Sequence, residues 1–242
     1  MRKLFDFLIV IAILLLLWQM LHWVAGELAM TSPVETAVHI GTLLTSEDFW
    51  ADAAETGRAL QWAVAISVIG GIVVGVLIGM SDLARLVTVP IFISLYSLPK
   101  VTLYPLVLLC FGLTLSSKVA FGAMHGMFPV VLFTVGAIAN IRPVYIRVAS
   151  VLRLSRLQTI GTVVLPAIFP EVHSGIRIGF SLSLLGVLIG EMFASRKGLG
   201  FRINRAMEFG DISTIMAVAV LLSVFAFGIN FALLVIARRM NR

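Results

Sequence analysis

The chain has 242 residues, 60% hydrophobic and only 12% charged, with a mean hydropathy of +1.07 and a pI near 10.1. That balance excludes a soluble globular enzyme and describes a membrane protein. The net charge of +6 implies no nucleic-acid partner, because most of it falls in short segments between apolar runs, where it sets orientation.

A spanning helix needs roughly 20 apolar residues to cross about 30 Å of hydrocarbon. The first such run is 7–26, preceded by Arg2 and Lys3. It reads as a retained span, because it is long, contains Trp18 and Trp23 and lacks a small-x-small site; cleavage as a signal peptide is the alternative. The next segment carries Glu27, Glu35, Glu47, Asp48, Asp52 and Glu55, and no Lys or Arg before Arg58. Lys and Arg mark cytoplasmic loops, so this segment is expected outside and the N-terminus inside.

Residues 59–81 form the second run, with Gly71, Gly75 and Gly79 at four-residue spacing after Ser67. Small residues let helices approach closely in lipid. Gly122 and Gly126 repeat the pattern in the fourth run, 119–141, and Gly175, Gly179, Gly186 and Gly190 in and before the fifth, 178–195. The pattern predicts a tight bundle, with a helix surface left for a second copy.

The third run, 86–117, is irregular. "SLPKVTLYP" places Pro99 and Pro105 around Lys100. Each proline removes a backbone hydrogen bond and bends a helix. Broken backbone at membrane depth is tolerated where it is buried in protein or lines a water-filled cavity, and an intramembrane Lys is costly and functional by default. One reading is a translocation path lined by Tyr96, Pro99, Lys100, Tyr104, His125 and Glu191, with Lys100 meeting an anionic solute. The other is a Lys100–Glu191 ion pair that joins two helices.

The sixth run is 212–237, followed by a basic tail, 238–242, with Arg238, Arg239 and Arg242. Six spans place both termini inside. Segment 195–211 is then outside yet carries Arg196, Lys197, Arg202 and Arg205, against the positive-inside rule. The reading adopted is a use for these cations: attracting an anion or docking an acidic partner.

Segment 142–169 is expected to be the longest cytoplasmic loop. Read as a helix, it puts Val144, Tyr145, Val148, Val151 and Leu152 on one face and Arg142, Arg153 and Arg156 on another. Such a helix lies on a membrane surface or fills a partner's groove.

Chemistry of other kinds finds no support. The one cysteine, Cys110, permits no disulfide within the chain, and His22, His39, His125 and His173 are dispersed, so no metal site is read. No Gly-Lys dipeptide occurs, so the phosphate-cradling loop of an ATPase is missing. No catalytic constellation stands out. Energy must come from another subunit or from an ion gradient.

From about residue 50 to 237 the chain resembles the inner-membrane permease subunits of binding-protein-dependent ABC importers, most of all the branch for nitrate, sulfonates and taurine. The resemblance rests on "GIVVGVLIGMS", "SLPKVTLYPLVLLCFGL", "RVASVLRLSRLQTIGTVVLPAIFPEVHSGIRIG" and "GEMFASRKGLGFRI", in that order. It implies an all-α fold of six transmembrane helices, the type I importer permease. The organisation is then a first helix and external loop, 1–57, a permease core, 58–237, and the tail. It implies two copies forming a pore in a bacterial inner membrane, two cytoplasmic ATPase subunits that hold ATP and magnesium, and an external solute-binding protein. It also implies that the loop 142–169 couples to the ATPase, through Arg147, Ala149, Leu152, Arg153, Ser155, Arg156, Leu157, Gln158, Leu165 and Pro166. Arg147 stands where that family usually has Glu, and Arg153 where it has Gly. The solute is expected to be a small organic anion; a neutral heterocyclic vitamin precursor is the alternative. An ion-coupled secondary transporter using Lys100 and Glu191, or a non-transporting membrane scaffold, are the competing classes.

Overall fold

The computed structural model describes residues 2–26 and 29–240. Glu27 and Arg242, both used in the topology argument, lie outside the described residues. Eleven α-helices occur among those described: α1 (Arg2–Ala25), α2 (Pro33–Leu44), α3 (Glu47–Gly79), α4 (Asp82–Ser97), α5 (Tyr104–Phe111), α6 (Leu115–Ala139), α7 (Pro143–Val151), α8 (Arg156–Thr159), α9 (Leu165–Ala194), α10 (Leu199–Phe209) and α11 (Ile212–Met240). Helices α1, α3, α6, α9 and α11 are each long and apolar enough to span a membrane. Helices α4 and α5 make up the sixth span only as a pair bent by 89°.

The bend follows from the prolines. Leu98 is extended (φ −65°, ψ 141°), as a residue before proline prefers to be, and ends α4. A single 3₁₀ turn, Lys100–Leu103, connects to α5, which starts with Pro105 in its first turn, where a missing N–H costs nothing.

The core is α3, α6 and α9. The glycine ladder acts here. A Cβ on Gly71, Gly75 or Gly79 would come within 2.6–2.7 Å of Val130, Thr134 or Ile138 of α6. The four-residue step of α3 therefore meets a four-residue step on α6. On the other side of α6, Gly122 lies against Val187 and Ala63, and Gly126 against Gly179 and Ser183. The Ser67 and Ser183 hydroxyls meet at 3.3 Å where the three helices converge.

Helix α1 stands apart, largely exposed. Two side chains tie it to the chain beyond: Trp18 Nε1 donates to the Thr31 carbonyl (3.0 Å), and His22 Nδ1 lies 2.6 Å from the Met30 carbonyl oxygen. Helix α2 begins with a capping box at Ser32 and Glu35 and packs on α11, where His39 Nε2 meets Thr214 Oγ1 at 3.0 Å. The Glu35 carboxyl is held below its ordinary pKa, first of all by the Ser32 backbone N–H that it accepts.

Two sequence expectations need correction. The loop around 142–169 is not one amphipathic helix: α7 stops at Val151, so Arg153 and Arg156 do not share its faces. Nor do Leu165 and Pro166 close the loop. Helical structure begins at Arg156 and runs unbroken through a π-helical turn, Ile160–Val164, into α9, with Pro166 in the first turn of α9. The π turn absorbs the strain of a proline that a regular helix would have to unbond. At the other end of the chain, α11 continues to Met240, so residues 238–240 of the expected tail are helical.

Candidate functional site: two ends of one bundle

The residues proposed for a path do not converge on one opening. They divide between a bend and a clasp.

At the bend, Lys100 is 9% exposed. Its ammonium donates to the Tyr96 carbonyl (2.8 Å) and lies over the rings of Tyr96 (4.5 Å to the centroid) and Phe128 (5.1 Å). A cation is comfortable against aromatic faces. His125 is buried, with Nδ1 2.9 Å from the Phe121 carbonyl oxygen, and packs edge-on against the Phe121 ring. Pro99 sets the geometry; the Tyr96 ring is the exposed member of the group.

Glu191 is elsewhere and does not pair with Lys100. It is completely buried near the α10 end of α9. Its carboxylate accepts from Thr56 Oγ1 (2.8 and 3.0 Å) and from the Gly200 N–H (2.9 Å). Thr56 Oγ1 in turn accepts from the Leu199 N–H (2.8 Å). An anion on the first amides of a helix is favoured by the unsatisfied N–H groups and the dipole there, and Glu191 serves α10 in this way. Gly198 makes the approach possible: its φ of +118° is one L-residues avoid, and a Cβ there would run into the carboxylate. Tyr104, also buried, donates to the Gly190 carbonyl (2.7 Å) and joins this clasp rather than a path.

Further ties complete the clasp. Asp52 accepts from the Gly198 N–H (2.9 Å) and from Arg202 (2.8 Å). Lys118, almost wholly buried, reaches Glu55 Oε1 (3.3 Å). So the cations of 195–211 are not all free: Arg202 neutralises a carboxylate of α3. The sequence reading missed Thr56, Asp52, Gly198 and Gly200. Their signal was present, since Asp52 and Thr56 stand one turn apart at the polar start of an apolar helix, and Gly198 and Gly200 flank Leu199.

The opposite end is built differently. Helix α7 ends in a Schellman turn: the Arg153 N–H bonds the Ser150 carbonyl (3.1 Å) and the Leu154 N–H bonds the Ala149 carbonyl (3.1 Å). That turn requires a left-handed residue, and Arg153 supplies it at φ +49°, the one non-glycine with positive φ among the described residues. Glycine would take this conformation without the Cβ penalty. Ser155 and Gln158 then form a capping box that starts α8. Ala149 is buried beneath the turn, whereas Val148, Val151, Leu152 and Leu157 are exposed, Leu157 by 82%. Arg147 and Arg156 are exposed beside them. Tyr145, Val148, Thr162, Val163, Pro166 and Ala167 line an open groove of about 420 Å³ next to this ridge.

Five spans and a sixth, bent pair, with a glycine-packed core, one end closed by internal bonds and the other presenting an uncovered apolar, basic turn, define a polytopic helical membrane protein. The comparisons with known proteins agree. Residues 67–242 match the family described as the binding-protein-dependent transport system inner membrane component, and the chain belongs to that family. It is 27% identical over 242 residues to the taurine transport system permease protein TauC of Escherichia coli, covering 96% of this chain and 86% of that one. It is 27% identical over 220 residues to the putative aliphatic sulfonates transport permease protein SsuC of Bacillus subtilis, covering 88% and 78% of the two chains. The nitrate import permease protein NrtB of Leptolyngbya laminosa is 30% identical over 215 residues, covering 84% and 76%. The chain is a multi-pass inner-membrane permease subunit of an ABC importer, and the secondary-transporter and scaffold readings give way to this one.

Proposed function

We propose that two copies of this chain form the pore of an importer for a small organic oxyanion, of the sulfonate, taurine, nitrate or carboxylate kind. Two ATPase subunits, carrying ATP and magnesium, dock on the α7–α8 turn; a solute-binding protein delivers the solute at the α2–α10 end. Both chain termini then lie in the cytoplasm. The observation that carries the docking is the exposed apolar ridge Val148, Val151, Leu152 and Leu157, held rigid by the Schellman turn and the capping box. A membrane protein gains nothing by presenting such a ridge to water, and a groove on a partner covers it. The anionic solute is supported by what the related permeases named above carry and by the cations that this chain keeps in its spans.

Lys100, with Tyr96 and Pro99, is the part of the expected path that keeps a role at the pore, since Tyr96 retains exposed surface. Arg147, Ala149, Leu152, Arg153, Ser155, Arg156, Leu157 and Gln158 make up the docking turn, and Leu165 and Pro166 its rigid connection to α9. The test is uptake by proteoliposomes holding the complete transporter, with ethanesulfonate, taurine, nitrate and a neutral pyrimidine as competing solutes. Uptake that requires ATP and the ATPase, and favours an anion, is the expected result. Uptake driven by a proton or sodium gradient alone, or a preference for the pyrimidine, overturns it.

A further inference from the structure

Unlike the two buried lysines of the spans, Arg177 has no partner for its charge among the described residues. Lys100 has a carbonyl and two rings, Lys118 has Glu55, and Glu191 has three hydrogen bonds. Arg177 of α9 forms no ion pair among the described residues, and its Nε is buried with no hydrogen-bond partner. A buried donor left unmade is costly, the more so on a charged group in a spanning helix.

The open face of α9 beside it mixes polar side chains with the exposed Ile178 and Leu185. Glu171, Ser174 and Ser181 are exposed along the adjoining face of α9, and Asn230 of α11 donates to Ser181 Oγ (3.0 Å). The remaining faces of α9 are occupied: Gly175 and Gly179 lie on α6, and His173 meets the Leu233 carbonyl of α11. Arg177 sits on the edge between the α11 seam and this open face. Its depth follows from its neighbours. Gly175 abuts Phe133 and Gly179 abuts Val130, so Arg177 is level with the middle third of α6, roughly 12 Å from the end at Ala139 and roughly 24 Å from the end at Leu115, at 1.5 Å per residue. This is within the hydrocarbon layer, on the side of the α7–α8 turn.

We infer that Arg177 is an oxyanion-binding residue of the translocation path, and that the face bearing Ser174 and Ser181 lines that path. The inference rests on the anion-importer reading above. A guanidinium offers a planar fork to a sulfonate, nitrate or carboxylate; the neighbouring hydroxyls donate to their own helix, Ser174 to the Pro170 carbonyl (3.4 Å) and Ser181 to the Arg177 carbonyl (3.3 Å). Arg177 has no carboxylate partner among the described residues of the chain, and an anionic solute on this face would supply one.

The test uses the complete transporter in proteoliposomes made either of phosphatidylcholine alone or with phosphatidylglycerol, and measures initial uptake of radiolabelled ethanesulfonate and nitrate. Arg177→Gln is expected to cut uptake at least tenfold in both membranes while still co-purifying with the ATPase. Arg177→Lys, a point charge in place of a fork, is expected to retain uptake but to change the ethanesulfonate-to-nitrate ratio at least threefold. Uptake by Arg177→Gln within twofold of the unmodified protein overturns the inference. So does a loss confined to membranes with phosphatidylglycerol, which assigns Arg177 to a lipid phosphate. Should Arg177→Gln not assemble, an unchanged solute ratio in Arg177→Lys overturns it and a changed ratio supports it. Absence of uptake by the unmodified transporter is a different failure, that of the anion-importer reading itself.

Discussion

Helix α9 touches two regions that solve opposite problems. At its α10 end, Glu191 is fully buried, and its carboxylate is matched by Thr56 and Gly200, with Asp52, Arg202, Glu55 and Lys118 paired around it. At its start, the polar groups of Ser155 and Gln158 serve only their own helix cap, and the apolar side chains beside them face outward. The clasp is complete within one chain. The turn is not. A buried polar network is stable only when every member is satisfied, whereas an exposed apolar ridge is stable only when something covers it. Mutations at the clasp should therefore change folding, and mutations at the turn should change partnership.

The largest effect is expected at the clasp. Glu191→Leu leaves the Thr56 hydroxyl and the Gly200 N–H buried without an acceptor, and should cost ~3 kcal/mol, since hydrogen bonds to a charged group contribute about 1.5–3 kcal/mol each. The thermal unfolding midpoint of the detergent-purified permease reads this out, and an unshifted midpoint would remove Glu191 from the structural account. Gly198→Ala should follow at ~2 kcal/mol, because the backbone there is unfavourable for any Cβ and the carboxylate occupies the space. Equal midpoints for Gly198→Ala and the unmodified protein would show that the turn can rearrange.

The turn should behave in reverse. Leu157→Asp is expected to leave the unfolding midpoint unchanged and to weaken capture of the ATPase roughly tenfold, about 1.4 kcal/mol, as expected for one well-placed interface residue. Ala149→Asp is a poorer probe. Ala149 is buried beneath the Schellman turn, so its loss deforms the turn itself. Retained capture by Leu157→Asp breaks the distinction between the two ends. The smallest effect belongs to Arg153→Gly, which should raise stability by ~1 kcal/mol by removing the left-handed penalty. If capture of the ATPase also falls, the Arg153 side chain contributes to docking; unchanged capture assigns it to the turn alone.

The two regions also differ in how far the sequence disclosed them. For the turn, the relevant facts are local. A helix end, a left-handed residue and a capping box involve neighbours within six positions, and at Arg153, where the family usually has Gly, the backbone turns at φ +49°. Even here the helix boundaries were misplaced, because a π turn joins α8 to α9 and helical structure begins nine residues before Leu165. For the clasp, most partners are remote in sequence: 63 positions for Glu55 and Lys118, 86 for Tyr104 and Gly190, 135 for Thr56 and Glu191, 150 for Asp52 and Arg202. Glu191 was visible as an anomaly in an apolar run, but its partner was taken to be Lys100, the other charge at a similar apparent depth. Hydrogen bonds from the Gly200 amide and the Thr56 hydroxyl offer Glu191 a better match than a remote ammonium, and Lys100 found a carbonyl and two rings closer by.

By itself the sequence determined that the chain spans a membrane about six times, that its third span is broken by proline and that glycine ladders bring helices close. Those properties follow from composition, from spacing along one helix and from the fixed φ of proline. Only the tertiary structure decided which helices the ladders join, which charges are spent on one another and that Arg177 is left without a counter-ion among the described residues. Burial and pairing depend on what arrives from distant parts of the chain, and a periodic pattern gives the face of a helix without naming what packs against it.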